Sequence, residues 1–245
     1  MSNKDIAFEN CILKGVVGST CHGTAIDGQD DRDEMAIFIE PREYVCGLTS
    51  LDHYIYRDQP DGVRSQPGDL DLTMYSLRKF CRLAAAGNPS ILMLLWLPEY
   101  MEQHRSGAEL ISIRQAFISK TAGKKFLGYL TGQKKSLTGE RTQKVNRPEL
   151  IEKYGYDTKF AMHALRLGYQ GIELMNDRHI SLPVRPIQLK ILREVREGKV
   201  PYGEVISMIE SAEILLQRAV NECDLSADLD KINEYMVEAH RSHWG

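Results

Sequence analysis

Asp31 and Asp33 stand two residues apart, thirteen residues after the pair Gly18-Ser19. In an extended strand, side chains at i and i+2 point to the same face, so these two carboxylates would lie side by side. Carboxylates held that way repel each other unless a cation sits between them. Hard oxygen ligands suit Mg²⁺, with Mn²⁺ as its substitute, and such an ion is commonly held by one or two carboxylates together with substrate phosphates. The Gly18-Ser19 turn lets a phosphate approach the backbone. These residue types in this order imply metal-assisted transfer at a nucleotide phosphate.

Gripping both the attacking and the leaving oxygen takes two cations roughly 3.5–4 Å apart, and hence carboxylates from more than one strand. The segment Asp69 to Met74 (DLDLTM) supplies a third candidate. Its alternation of polar and apolar residues predicts a half-buried strand with Asp69, Asp71 and Thr73 on one face. Asp71 is preferred because it lies inside the strand, between Leu70 and Leu72, whereas Asp69 falls at its start. An Asp-x-Asp pair alone is commonly a solvated strand end. The Gly-Ser turn before it and the apolar-acid-apolar strand after it set this one apart.

The elements that must hold these acids follow from the surrounding pattern. Residues 11–19 (CILKGVVGS) form a short apolar stretch, strand or helix end, closed by the Gly-Ser turn, and residues 24–30 are loop-like. Residues 33–40 read as a buried strand stopped by Pro41, and 53–57 as a further strand. Residues 58–68, with two prolines and two glycines, predict a mobile loop. SLRKFCRLAAAG is a helix ended by Gly87, and Asn88-Pro89 caps and opens a second apolar helix, SILMLLWL. Beyond Pro98 the pattern turns helical. Residues 107–137 predict two helices or one broken one, 138–149 a charged connector, and Asp157 the cap of a helix to about Met175. A short strand is expected at 178–182, then helices at 186–197, 202–222 and 229–240. The fold class is α+β: a small mixed sheet flanked by helices over residues 1–100, then a helical domain over 101–245 that closes a cleft.

Other polar groups extend the candidate site. His22 lies in the Gly-Ser turn, and Arg78 and Lys79 begin the helix after the third-acid strand, within reach of phosphates. Lys159, His163, Arg166 and Gln170 fall at i, i+4, i+7 and i+11 on an otherwise apolar helix, so they face solvent or line a cleft. Residues 120–147 hold Lys120, Lys124, Lys125, Lys134, Lys135, Arg141, Lys144 and Arg147 against Glu140 alone. That asymmetry suits a nucleic-acid backbone, with Phe126 and Tyr129 available for stacking. His240-x-x-His243 reads as a frayed tail rather than a metal pair.

Composition bounds the rest. The chain has 245 residues, is 42% hydrophobic and 27% charged, and has net charge −3 with pI near 6.2, so global charge does not mark a nucleic-acid binder. Five cysteines without a CxxC pair fit a reducing cytosol and argue against a disulfide framework or zinc site. The N-terminus lacks a signal-peptide core, and the longest apolar run, Ile91 to Leu97, is too short to span a bilayer. A soluble cytoplasmic protein is expected. Gly18-Ser19 is followed by no Gly-Lys-Ser/Thr, which excludes a P-loop.

GSTCHG…DDRDEMAIFI followed by DLDLTMYSLRKFCRLAAAGNPSILMLLW, with the later YDTKFAMHALRL, resembles the DNA polymerase β-like nucleotidyltransferase superfamily. The closer likeness is to its RNA-repair-associated branch, found in bacteria and phages. The likeness spans most of residues 11–172. It implies a palm-like catalytic domain with Asp31 and Asp33 as metal ligands and Asp71 as the third, the three forming the catalytic set. It implies a nucleoside triphosphate bound by Gly18, Ser19, His22, Lys79, Lys159 and His163. Together with the basic segment, where Lys124, Lys125, Lys134 and Lys135 would bind nucleic acid, it implies an RNA 3′ end, tRNA included, as acceptor. His22 stands where the branch often has Tyr, and the loop before Asp31 is about one residue longer, which makes Asp30 a rival ligand by register. Transfer onto a protein or small molecule, and a catalytically silent binding module, are the alternative functions.

Overall fold

The structure, a computed structural model, describes residues 1–26, 31–59, 68–140 and 147–245. The elements run in the order α1 (Asn3–Glu9), β1 (Cys11–Val16), α2 (Gly18–His22), β2 (Arg32–Phe38), α3 (Arg42–Cys46), β3 (His53–Arg57), β4 (Leu70–Ser76), α4 (Leu77–Ala85), α5 (Pro89–Leu92), β5 (Glu102–Gln103), α6 (Arg105–Ser112), α7 (Lys120–Leu137), α8 (Pro148–Tyr154), α9 (Thr158–Asp177), α10 (Pro186–Arg196), α11 (Tyr202–Glu222) and α12 (Leu229–Trp244). They form two compact units, Met1–Phe117 with Ala227–Gly245, and Ile118–Ser226. These bounds do not coincide with a division at residue 100, because α12 packs with the first unit. There Ile232, Tyr235 and Ala239 are buried, and the Tyr235 hydroxyl donates to the Ser106 carbonyl at 2.8 Å.

The first unit is α+β. Its five-stranded mixed sheet has the order β3-β4-β2-β1-β5, with β2 and β4 parallel and the other pairs antiparallel. Ala36 and Phe38 of β2 and Leu72 and Met74 of β4 share one face and pack against Ile6, Ala7 and Leu51. By the period-two rule Asp33 and Asp71 therefore lie on the other face. The α1 helix is opened by a capping box, in which Asp5 N donates to Ser2 Oγ at 3.2 Å and Ser2 N to the Asp5 carboxylate at 3.0 Å. Asn88 caps α5 as expected, accepting from the amides of Ser90 and Ile91. The apolar run expected as one helix instead turns 3₁₀ at Met93–Trp96, every residue of it buried.

The C-terminal tail is ordered where fraying was expected. His240 is buried with its Nε2 3.3 Å from Glu40 Oε2 and its Nδ1 2.7 Å from the Met236 carbonyl. Trp244 Nε1 donates to the Glu40 carbonyl at 2.9 Å, and His243 Nε2 lies 2.8 Å from Asn10 Oδ1. The two histidines thus have separate partners.

The second unit is helical, with α9 at its centre between α7, α10 and α11. Asp157 caps α9, accepting from the amides of Lys159 and Phe160, both at 3.0 Å. A Cβ at Gly168 would fall 2.8 Å from Ala212 Cβ, and one at Gly171 2.9 Å from Leu216 and Phe126 side-chain atoms, so these glycines let α9 lie close against α7 and α11. The strand expected at 178–182 does not form. Ser181 N donates at 3.0 Å to the Glu173 carboxylate, which also accepts from Arg185 Nε at 2.9 Å, so that amide is spent on a side chain rather than a ladder. Of the loop expected at 58–68, residues 60–67 lie outside the described residues. Among the described residues no helix is long and apolar enough to cross a membrane.

Candidate active site

Parallel pairing of β2 with β4 sets Asp33 beside Asp71 in register. Asp31 immediately precedes β2, two residues from Asp33. One carboxylate oxygen from each of Asp31, Asp33 and Asp71 lies within 4.8 Å of the other two, and all three residues are half-buried. Asp69 stands just before β4, where its carbonyl accepts from Arg32 N at 2.9 Å. Asp30 lies outside the described residues.

The Gly18 turn is built against this group. Gly18 has φ +66°, and a Cβ there would sit 2.0 Å from Asp33 Oδ2, so only glycine lets the chain pass from β1 into α2 at that spot. Val17 N donates to the Asp33 carbonyl at 2.9 Å, and the Ser19 carbonyl accepts from Thr24 N at 3.0 Å. No side chain caps the start of α2. Its first amides lack intrahelical acceptors, and they carry the positive end of the helix dipole. His22 is buried within this turn.

Asp71 has two neighbours that the sequence reading passed over. Arg57, its register partner on β3, places Nε 3.3 Å from Asp71 Oδ1, and Gln59 Nε2 donates to the same oxygen at 3.1 Å. The alternation in HYIYR puts His53, Ile55 and Arg57 on one face, but its antiparallel register with β4 was not legible. Glu34 is buried apart from the three acids, 2.9 Å from Lys14 Nζ and 2.7 Å from Arg32 Nη2. Lys79 Nζ lies 3.2 Å from Asp52 Oδ2, and Ser76 caps its helix by accepting from Lys79 N at 3.2 Å.

In the second unit the polar stripe on α9 is half-buried rather than an open solvent face. Gln170 is buried and accepts from Arg166 Nη1 at 2.9 Å. His163 Nδ1 and Thr158 Oγ1 are buried with no hydrogen-bond partner among the described residues. Burial, and then the charges of Arg166, Lys159, Arg147 and Arg196, hold His163 well below the usual histidine range, so its imidazole is neutral at pH 7. Arg147 Nη1 donates to Asp157 Oδ2 at 3.0 Å, and its guanidinium lies 5.1 Å from the centre of the Phe160 ring. Helical spacing points to Lys159 and His163; Arg147 and Arg196 come from other segments, which local periodicity does not reveal as their companions.

The basic segment sorts into two kinds. Lys124, Lys125 and Lys135 are exposed on α7. Lys134 is paired, with Nζ 2.9 Å from Glu213 Oε2 and 3.6 Å from Glu210 Oε1. Phe126 is fully buried against α9, which removes it as a stacking platform, whereas Tyr129 is exposed. Arg141 and Lys144 lie outside the described residues.

Comparison with known proteins follows the same line. A crystal structure of a nucleotidyltransferase-like protein from Exiguobacterium sibiricum 255-15 is similar over 98% of this chain and 77% of that one, at 11% identity and a TM-score of 0.33, too low for any argument to rest on it. No curated protein matches the chain. The family model described as the RNA repair pathway DNA polymerase beta family matches residues 4–237. With the match running nearly end to end, and with the acidic group, the Gly18 turn and the mixed sheet in place, this chain belongs to the RNA repair pathway DNA polymerase beta family.

Proposed function

We propose that the protein transfers a nucleoside monophosphate from a nucleoside triphosphate to the 3′ hydroxyl of an RNA, tRNA included, with release of pyrophosphate. The observation that carries this reading is the convergence of Asp31, Asp33 and Asp71 from two parallel-paired strand segments. Three carboxylates so close repel one another unless a cation sits between them. The donor set is all oxygen and half-buried, and Gly18 keeps the approach to Asp33 clear, so these residues fit Mg²⁺ or Mn²⁺. When bound there, such ions supply charge stabilisation of the transferring phosphoryl group and a lowered pKa for the acceptor hydroxyl.

Phosphoryl transfer depends mostly on positioning and charge. Asp31 and Asp33 would hold both ions, and Asp71 the catalytic one while drawing the acceptor proton. The backbone of Gly18 and Ser19 and the Ser19 hydroxyl would receive the triphosphate at the open end of α2. In the first unit His22 and Lys79 would make lesser phosphate contacts; in the second, Lys159 and His163 would offer a cation and a neutral imidazole to a phosphate or sugar. Arg57 would keep Asp71 oriented between turnovers.

The test is incubation of the purified protein with each labelled nucleoside triphosphate, Mg²⁺ and total cellular RNA. Label entering RNA, and lost with Asp31→Asn, is the expected result. Label entering protein instead would replace the RNA acceptor with a protein one. No label under any nucleotide would overturn the enzymatic reading.

A further inference from the structure

The α7 helix carries five lysines and no acidic residue in 18 positions. Two of the five are engaged within the second unit: Lys120 Nζ donates to the Asn221 carbonyl at 3.2 Å, and Lys134 is paired with Glu213. Lys124 and Lys125 are exposed, make no ion pair among the described residues, and sit in the half of the helix where its dipole gives a cation no support. One turn on lies Gly128. A Cβ there would meet nothing within 4 Å, so packing does not call for glycine, yet glycine inside a helix is less stable than alanine. Gly123 on the same helix is different, since a Cβ would strike Met175 Sδ at 2.5 Å. Tyr129, beside Gly128, is 42% exposed. Gln133, a turn further, has a buried Oε1 with no hydrogen-bond partner among the described residues. These residues and Thr121 line one groove of about 650 Å³ along the helix.

We propose that this face of α7 is a docking track for single-stranded RNA. Lys124 and Lys125 pair with neighbouring phosphates. Tyr129 stacks under one base, and the bare surface at Gly128 lets the strand come against the helix backbone. Gln133 Oε1 accepts from a sugar hydroxyl or a base amine, the kind of donor that RNA presents in number. An acidic protein surface would answer the lysines but leave the aromatic platform and the stripped glycine without a role. The inference rests on the RNA-acceptor reading and deepens it, by assigning the contact that holds the strand away from its reacting end.

The experiment is fluorescence anisotropy of a labelled single-stranded RNA of about 12 nucleotides with the full chain, carried as Asp33→Asn so that binding is read without turnover. Tyr129→Ala is expected to weaken binding about fivefold or more. Lys124→Gln with Lys125→Gln is expected to make the slope of log K against log salt shallower by about 1.4, at about 0.7 per phosphate contact. Gly128→Ala is expected to raise the melting temperature by about 2–4 °C while weakening binding about threefold or more, a combination that a purely structural glycine would not give. Lys134→Gln is expected to leave the slope unchanged. The proposal is overturned if Tyr129→Ala and Gly128→Ala bind as the parent does, or if duplex RNA or poly-glutamate competes as well as the single strand. If those variants bind normally while the chain with Asp33 intact labels RNA, the track alone fails. If the Asp33→Asn chain does not bind and the chain with Asp33 intact does not label RNA, the acceptor reading fails with it.

Discussion

The two units collect charge of opposite sign. In the first, three carboxylates meet at the ends of paired strands. In the second, the charges acting on half-buried His163 come from four cations, Arg166, Lys159, Arg147 and Arg196. Like charges set close together repel, and in each grouping one member already has a partner of the other sign, Arg57 beside Asp71 and Asp157 beside Arg147. Each is a place where a bound group of the other sign would be stabilising, as proposed above for a metal cation in one unit and a phosphate in the other. The backbones differ as well. The acids are held by strand register, which fixes partners across the chain, and the cations by helix periodicity together with neighbouring helices.

The sharpest break of this comparison is at the acids. Asp33→Asn or Asp71→Asn is expected to lower nucleotidyl transfer by about 10³-fold or more in an initial-rate assay, while Asp69→Asn stays within about threefold. Comparable losses at Asp69 would move the third ligand by two residues, to the position just before β4. A smaller effect concerns the metal alone. Thermal unfolding followed against Mg²⁺ is expected to show stabilisation that grows with concentration, about 2.7 kcal/mol at a hundredfold excess over Kd, and to show none in Asp33→Asn.

The smallest effect contrasts half-buried His163 with buried His240. His163 is held low by burial and cationic neighbours. The unfolded chain takes up a proton there that the folded chain refuses, so stability falls as pH drops below about 6.5. Burial alone would also lower His240, but the Glu40 carboxylate and the Met236 carbonyl raise it. Its contribution is therefore fully present below about 6.5 and is lost as pH rises through its folded value. Urea unfolding between pH 5 and 8 is expected to lose its acid-side decline in His163→Asn and its alkaline-side decline in His240→Gln. The same slope change in both variants would contradict the contrast.

The part of the site held in short-range pattern was legible in the sequence. Period two put Asp31 with Asp33, the position inside its strand favoured Asp71 over Asp69, and the structure brings these three carboxylates together; helix-cap chemistry placed Asn88 and Asp157 correctly. What was missed depends on partners far along the chain. A local count of lysines cannot see Glu213, which neutralises Lys134 from another helix. His240 reads as a tail residue until Glu40, two hundred positions earlier, closes over it. The 3₁₀ turn at Met93–Trp96 was invisible because residues buried all round leave no periodicity to read. The strand expected at 178–182 fails because the Glu173 side chain takes the Ser181 amide that a ladder would need.

The return of α12 to the first unit has a consequence for synthesis. The chain leaves that unit after Phe117, builds Ile118–Ser226, and re-enters at Ala227, where Asp228 N donates to the Ala116 carbonyl at 2.9 Å. During vectorial translation the helical unit can finish folding first, although it is encoded second. The first unit stays without α12 until residues 229–244 have been made, so a nascent chain stalled before Ala227 would hold every acid of the candidate site and still lack the support that seals Glu40.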